Sequence, residues 1–233
     1  MRPTQLDHVA YWVAGRDAIA DFVTANLGMH VIDRTDAFTL VGADARRGKL
    51  TLFAAEGPRE RGALEHVALR VADLDEALAA LPDGLAVDRP REGEAYFDLG
   101  EGVRLGLVRA ATDADYDLDH VALRSTSPEE TAGEYGSLGF EPAEPGPSAC
   151  PRVAAGGAWI EFHPGDPGEP DRPLLNHVAV LVESADEHIA AAKDLGVEID
   201  DIVDAPNTYA VFLKGPEQVR IEYVEHKPTF SLT

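Results

Sequence analysis

The sequence is short of cysteine, of positive charge and of long apolar runs, and each shortage excludes a class of protein. Cys150 is the only cysteine, so the chain can form no internal disulfide and no cysteine-based zinc site. Lys and Arg total 20 against 42 Asp and Glu, which gives a net charge of −22 at pH 7. Such a surface repels nucleic-acid phosphates and anionic lipid head groups. We therefore expect no nucleic-acid partner and no membrane association.

The hydropathy of the chain is typical of a folded globular protein. No apolar run approaches the roughly 20 residues that cross a bilayer, and the first residues lack the apolar stretch of a secretory signal. Hydrophobic residues make up 45% of the 233 residues, which is enough to bury a core. The sequence thus predicts a cytoplasmic protein of one domain or two small ones.

One short segment occurs four times along the chain. The pattern Leu-x-His-Val-Ala recurs every 54 to 58 residues and contains His8, His66, His120 and His177. Each copy continues as a short β-branched or aromatic stretch, which is typical of a strand. An amphipathic stretch that opens with Asp or Ser follows each strand and predicts a helix, over residues 17–27, 73–81, 127–138 and 184–195. Alternating segments between turn signals complete each repeat, so the sequence predicts an α+β protein of four βαβββ modules.

Four βαβββ modules that each open with an apolar-x-His strand resemble the vicinal oxygen chelate superfamily, which includes glyoxalase I, the bleomycin resistance proteins and the type I extradiol dioxygenases. The resemblance covers essentially the whole chain. It implies that two modules form a cup of curved strands around a divalent metal, with ligands from their first and last strands. The acidic segment 109–117 separates modules two and three. We expect neighbouring modules to pair, as a metal-free half of residues 1–112 and a metal-bearing half of residues 113–233.

The last strands of the modules differ between these halves. Module four ends with Glu222 in Val-Arg-Ile-Glu-Tyr, and module three ends with Glu161 in Ala-Trp-Ile-Glu-Phe. Thr51 and Gly106 stand at the matching positions of the first half. The expected N-terminal cup therefore lacks acidic ligands, and its two strand histidines are interpreted as packing residues.

The resemblance implies a metal site in the second half. Its ligands would be His120, His177 and Glu222, with Glu161 available as a fourth ligand. Two imidazoles and one carboxylate suit Fe(II), and Mn, Ni, Zn or Co are alternatives.

The four-module arrangement resembles the extradiol dioxygenases most, which implies cleavage of a catechol-like ring. Their signature near the last ligand is roughly Tyr-x-x-Asp-Pro-x-Gly-x-x-x-Glu. Here Pro216 matches, but Phe212 stands in place of the tyrosine and Gln218 in place of the glycine. The acid–base histidine of many of these enzymes would fall near Ala158.

Three polar residues near the expected cup are candidates for the missing catalytic role. His163 lies two residues beyond Glu161 on the same predicted face, and Asn207 and Tyr209 precede Phe212 in the third strand of module four.

Two other functions stay open at this point. Two His and two Glu from one module pair resemble glyoxalase I and the related epimerases, in which a metal polarises a carbonyl and a carboxylate moves a proton. The bleomycin-resistance proteins use the same cups to sequester a small molecule without chemistry. All three functions imply a small-molecule ligand. The resemblance also implies that the chain forms a homodimer.

Overall fold

The computed structural model describes residues 2–233, and its elements follow the four predicted modules. Module one comprises β1 (Gln5–Val13), α1 (Arg16–Asn26), β2 (His30–Arg34), β3 (Phe38–Gly42) and β4 (Lys49–Ala54). Module two comprises β5 (Leu64–Val71), α2 (Leu74–Ala79), β6 (Glu94–Asp98) and β7 (Arg104–Arg109). Module three comprises β8 (Asp117–Ser125), α3 (Pro128–Ser137), β9 (Glu141–Ala143), β10 (Arg152–Ala155) and β11 (Ala158–Pro164). Module four comprises β12 (Leu175–Leu181), α4 (Ala185–Leu195), β13 (Ile199–Asp204), β14 (Thr208–Lys214) and β15 (Arg220–His226).

The predicted α+β fold is confirmed, with one local difference. Module two has one strand fewer than the others, and an isolated bridge between Asp88 and Tyr96 takes the place of the missing strand. The helices lie where the amphipathic stretches predicted them. The Asp73 side chain caps α2 by accepting hydrogen bonds from two backbone N–H groups, and α4 ends at Gly196 with a φ of 68°. None of the described helices is long and apolar enough to cross a membrane.

The modules pair differently from the prediction. The eight-stranded sheet has the order β13-β14-β15-β12-β1-β4-β3-β2, so it joins module one to module four. The seven-stranded sheet has the order β6-β7-β5-β8-β11-β10-β9, so it joins module two to module three. The predicted division into residues 1–112 and 113–233 is therefore wrong. The segment taken as the boundary is the short connection between β7 and β8 inside one sheet.

The physical reason lies in the edges of the opening strands. Each opening strand pairs in parallel with the last strand of its own module, which leaves its other edge to be covered. All four opening strands have nearly the same sequence, so the repeat does not specify which opening strand pairs with the free edge of which other. The chain pairs β1 with β12 and β5 with β8, both antiparallel.

The register at these two seams is the same. In the first seam His8 lies opposite Ala179 and Ala10 lies opposite His177. In the second, His66 lies opposite Ala122 and Ala68 lies opposite His120. Each seam therefore brings two strand histidines to the same face of a sheet. We call the concave face formed by modules one and four cup A, and the face formed by modules two and three cup B.

The core lies on the other side of the strands. Alternation along β1 places Val9, Tyr11 and Val13 in the core, while His8 and Trp12 line cup A. Most buried hydrophobic residues of both sheets form one cluster that includes the helical residues Ile19 and Tyr135, and a second, smaller cluster comprises Ala179, Ala210, Phe212 and Val224.

Candidate functional site

Three side chains converge in cup A. His8 comes from β1, His177 from β12 and Glu222 from β15. The two histidine Nε2 atoms are 2.9 Å apart, and Oε2 of Glu222 lies 3.2 Å from Nε2 of His8 and 3.0 Å from Nε2 of His177. Among residues 2–233 these three form the one group of His, Cys, Asp and Glu side chains whose ligand atoms all lie within 4.8 Å of one another.

The residue that precedes each histidine holds its ring in place. Nδ1 of His8 is 2.8 Å from Oδ2 of Asp7, and Nδ1 of His177 is 2.8 Å from Oδ1 of Asn176. Both oxygens are acceptors, so each Nδ1 carries the proton and each Nε2 presents a lone pair to the centre of cup A. The Glu222 carboxylate is a third hydrogen-bond acceptor. With both histidines neutral, the three atoms that face one another are all acceptors, and none of them carries a hydrogen to donate.

Only a shared proton or a bound cation makes such a contact favourable. Burial lowers the pKa of His8, but hydrogen bonds to Asp7 and Glu222 outweigh it and raise the pKa to about 9. Burial lowers the pKa of His177, although Glu222 opposes this. Burial raises the pKa of Glu222, but His177 and His8 bring it well below its ordinary value. In the metal-free protein one proton on His8 therefore satisfies all three groups.

The same three atoms fit a divalent metal. Bonds from a divalent metal to imidazole nitrogen and carboxylate oxygen are about 2.0–2.2 Å long, so neighbouring ligand atoms of one coordination sphere stand about 3 Å apart. The three distances in cup A match that spacing. Two imidazoles and one carboxylate on one face form the ligand set of non-haem Fe(II) sites.

The fourth symmetrical position of cup A holds no carboxylate. Thr51 on β4 lies opposite Ala10, as Glu222 on β15 lies opposite Ala179. The hydroxyl of Thr51 is a weaker ligand than a carboxylate, so cup A offers three strong ligands and leaves this side open.

A cavity of about 650 Å³ lies above the three ligands, and one wall of it is aromatic. Phe212 is paired with Glu222 across β14 and β15, and its ring meets the His177 ring edge-on at a centroid distance of 5.2 Å. Phe53 contacts His177 from the other side at 6.1 Å. The other aromatic residues that line the cavity are Trp12, Phe38 and Phe230. An apolar wall of this kind suits a planar, largely apolar ligand.

A buried ion pair supports the histidine side of cup A. Nζ of Lys49 donates to both oxygens of Asp7, at 3.0 and 2.8 Å, and Nε2 of His226 lies 3.1 Å from the same carboxyl group. Burial alone raises the pKa of Asp7, but Lys49 and the two histidines, His226 and His8, bring it well below its ordinary value. Asp7 is therefore ionised and fixes the tautomer of His8.

Cup B has equivalent residues in a different arrangement. Nε2 of His66 and Nε2 of His120 are 3.0 Å apart, and Nδ1 of His120 is 2.7 Å from Asp119. The residue before His66 is Glu65, which pairs with Arg124 instead of the imidazole. Nδ1 of His66 is thus free to act as the acceptor, and its Nε2 can donate an ordinary hydrogen bond to His120. This histidine contact needs no cation.

The carboxylate of cup B is also engaged elsewhere. Oε2 of Glu161 lies 3.3 Å from Nε2 of His163, and Arg152 approaches its other oxygen at 3.7 Å. Gly106 on β7 stands in cup B where Thr51 stands in cup A, opposite the last alanine of the motif. The Tyr96 ring fills the space beside it, since a Cβ on Gly106 would lie 2.5 Å from that ring.

The structure divides the four predicted ligands between the two cups. His177 and Glu222 lie in cup A, whereas His120 and Glu161 lie in cup B, because modules three and four belong to different sheets. The expectation that these four residues share one site is wrong. His8, which we interpreted as a packing residue, takes the place of His120. The repeat marks His8 as a candidate but marks His120 equally, so the sequence holds no signal in the motif that favours one over the other.

The three predicted catalytic residues also separate. His163 lies in cup B beside Glu161, and the Tyr209 hydroxyl donates to Asp186 of α4, at 3.2 Å. Asn207 lines the cavity of cup A. Of the three, Asn207 is the one that the structure brings to the cavity above Glu222.

Comparisons with known proteins agree with this architecture. Residues 5–100 match the Glyoxalase/Bleomycin resistance protein/Dioxygenase superfamily. No curated protein sequence is similar enough to match the chain. A "putative dioxygenase" from Bacillus subtilis subsp. subtilis str. 168 superposes with a TM-score of 0.79 and 16% identity, over 98% of this chain and 87% of that one. Glyoxalase I from Zea mays superposes with a TM-score of 0.72 and 18% identity, over 95% of this chain and 92% of that one.

At these identities the structural likeness concerns the fold, and the residues of cup A carry the functional argument. Residues 5–100 thus match the Glyoxalase/Bleomycin resistance protein/Dioxygenase superfamily, and the chain as a whole shares the fold of these two solved structures.

Proposed function

We propose that the chain is a ring-cleaving dioxygenase of the extradiol type, which acts on a catechol-like substrate with Fe(II) held by His8, His177 and Glu222. The observation that carries this proposal is the convergence of three acceptor atoms below an aromatic-walled cavity. Bound Fe(II) would supply a Lewis acid and redox centre with positions open to two vicinal substrate oxygens and to dioxygen.

The chain's own residues orient the ligands and the substrate. Asp7 and Asn176 keep the two Nε2 lone pairs directed at the centre of cup A. Phe212 and Phe53 flank His177, so a planar ring that enters the cavity meets apolar surface and excludes water.

Thr51 favours a dioxygenase over an isomerase or lyase. Proton transfer of the glyoxalase or epimerase type uses a second carboxylate beside the first, and the sequence predicts Glu161 and Glu222 as that pair. The structure places Glu161 in cup B and a hydroxyl, Thr51, at the fourth position of cup A. A site with one carboxylate has the open positions that oxygen chemistry needs.

The pseudo-symmetry of the chain supplies matched controls for the test. Glu222→Gln and Glu161→Gln alter equivalent positions of cups A and B, and so do His177→Ala and His120→Ala. Each protein is reconstituted anaerobically with Fe(II), its iron content is measured, and oxygen uptake is followed with a panel of catechols. We expect about one iron per chain, with loss of iron and of oxygen uptake in the two cup A variants alone.

Other outcomes would contradict the proposal. Loss of iron in the cup B variants would place the metal in the other sheet. Stoichiometric Zn, Ni or Co with no oxygen uptake would indicate an isomerase or lyase. Failure of the wild-type protein to bind any divalent metal would leave a sequestering protein.

A further inference from the structure

A short segment crosses the mouth of cup A. Residues 227–233, which we call the strap, leave the end of β15 and turn back over the cavity. Phe230 and Leu232 of the strap line the cavity together with the ligand residues. The strap therefore forms part of the wall that a ligand of cup A would meet.

Asn207 fastens the strap to module four. Its backbone carbonyl accepts a hydrogen bond from the Lys227 N–H at 2.9 Å. Its side-chain Oδ1 accepts from the backbone N–H and the hydroxyl of Ser231, at 3.0 and 3.2 Å. One residue thus holds both sides of Phe230, which gives a physical role to a side chain that the sequence marked only as polar and close to the cup.

The far end of the strap reaches module one. The Arg46 guanidinium lies 4.9 Å from the centre of the Phe230 ring, and Nε2 of His30 is 3.3 Å from the Thr233 carbonyl oxygen. Because modules one and four are the two halves of cup A, the strap spans the cup from one half to the other.

The Phe230 ring covers the Asp7 side of the cavity. It stacks on the His226 imidazole with a centroid distance of 4.2 Å and an interplanar angle of 16°. Both ring nitrogens of His226 are buried, and within the described residues neither makes a hydrogen bond of good geometry, although Nε2 is 3.1 Å from Asp7. Phe230 thus keeps water from the carboxylate that orients His8.

We propose that Phe230 determines the specificity of cup A, that it selects planar aromatic ligands over aliphatic ones of the same chelating chemistry, and that Asn207 is the positioning residue that holds it there. This inference rests on the proposed function, because the ligand is taken to chelate a metal at His8, His177 and Glu222. A ring held at that centre meets the edge of the Phe230 ring, since His226 and Arg46 already lie over its faces, whereas an aliphatic chelator has no ring for an edge-to-face contact.

The test compares two ligands that chelate through two vicinal oxygens. Catechol has a ring and oxalate has none. Binding of each to the Fe(II)-loaded protein is measured anaerobically by calorimetry, in the wild type and in Phe230→Ala, Phe230→Leu and Asn207→Ala. Asn26→Ala on α1 is the matched control, since its side chain bonds within that helix, to the Phe22 carbonyl.

We expect Phe230→Ala to weaken catechol binding about tenfold and oxalate binding less than twofold. Phe230→Leu should fall between wild type and alanine for catechol, because it keeps apolar contact but no ring. Asn207→Ala should follow Phe230→Ala and speed amide hydrogen exchange of residues 228–233, while Asn26→Ala changes neither quantity.

Equal losses for both ligands, or none for either, would overturn the inference and leave Phe230 a structural residue. Wild-type protein that holds iron but binds neither ligand would instead refute the proposed function, and the inference would fall with it. The two failures are distinct because the first shows only in the variants and the second shows in the wild type.

Discussion

His8 and His177 face each other across the seam between β1 and β12, with their Nε2 atoms 2.9 Å apart. They are 169 residues apart in the chain and belong to the first and the last copy of one repeated motif. Hydrogen bonds to Asp7 and Asn176 leave both Nε2 atoms without a proton in the neutral form. The contact is therefore favourable only when a proton or a metal ion lies between the two Nε2 atoms.

Binding of a metal in cup A should release a proton. The pKa of His8 is raised to about 9 in the metal-free protein, so at pH 7 its imidazole carries a proton that a metal must displace. Affinity for Mn(II) should rise about tenfold per pH unit from pH 7 to 9. Calorimetry in buffers of different ionisation enthalpy should give about one proton released per metal, both in the wild type and in His66→Ala. Binding without proton release would show that His8 is neutral at pH 7 in the metal-free protein.

The ion pair between Asp7 and Lys49 should stabilise the fold only as a pair. Both side chains are buried, so Asp7→Asn leaves a buried ammonium group without its carboxylate. We expect the free energy of unfolding to fall by about 3–5 kcal/mol in urea. The double variant with Lys49→Met should recover most of that loss, since the buried ammonium group is then removed as well. Asp113→Asn, at the exposed pair with Arg47, should leave the urea midpoint unchanged. Additive losses in the double variant would show that the two residues act independently.

Thr51→Glu should convert the three-ligand site into a four-ligand one. The new carboxylate would stand opposite Ala10, as Glu222 stands opposite Ala179. We expect metal affinity to rise about tenfold, within the range that a single group at a metal site contributes. Oxygen uptake with catechols should fall because an open position is filled. Thr51→Val, which adds no ligand, should keep the metal affinity of the wild type. Unchanged oxygen uptake in Thr51→Glu would mean that this side of cup A does not face the reaction.

Glu161 should stabilise the protein at neutral pH and not in acid. Burial raises its pKa, but a hydrogen bond with His163 and the nearby His120 lower it from 4.5 to about 2. Its stabilising contribution is thus complete above pH 4.5 and is lost as the pH falls towards 2. Glu161→Gln should lower the free energy of unfolding by about 2–3 kcal/mol at pH 7 and have no effect at pH 2. Thermal melts of this variant and of the exposed control Glu169→Gln, taken between pH 2 and 7, would check this. A loss that persists at pH 2 would point to packing instead of charge.

Local elements of this fold could be read from the sequence because their causes are local. Each helix follows from an apolar stripe and a capping residue, such as Asp73, within a few positions. The equivalence of Thr51 and Glu222 could also be read, because both lie in the last strand of a repeat. The register confirms it, since each lies opposite the final alanine of a Leu-x-His-Val-Ala segment.

The set of residues that forms the site in cup A could not be predicted from local sequence. The choice of His8 over His120 depends on which module lies beside module four, and both histidines belong to the same motif. The residue before each histidine distinguishes His8 from His66 but not from His120, because Asp119 binds Nδ1 of His120 as Asp7 binds Nδ1 of His8. Asp7 can bind the adjacent Nδ1, whereas Glu65 is drawn away by Arg124.

The sequence by itself determined four modules, the strand position of every candidate ligand and the acidic charge of the molecule, because these depend on short-range pattern and composition. Tertiary structure alone decided that module one pairs with module four and that His8 completes a site with His177 and Glu222. It also decided that Phe230 lines the cavity above that site. Four nearly identical strand edges can pair in several ways, and only the packing of the whole chain selects one of them.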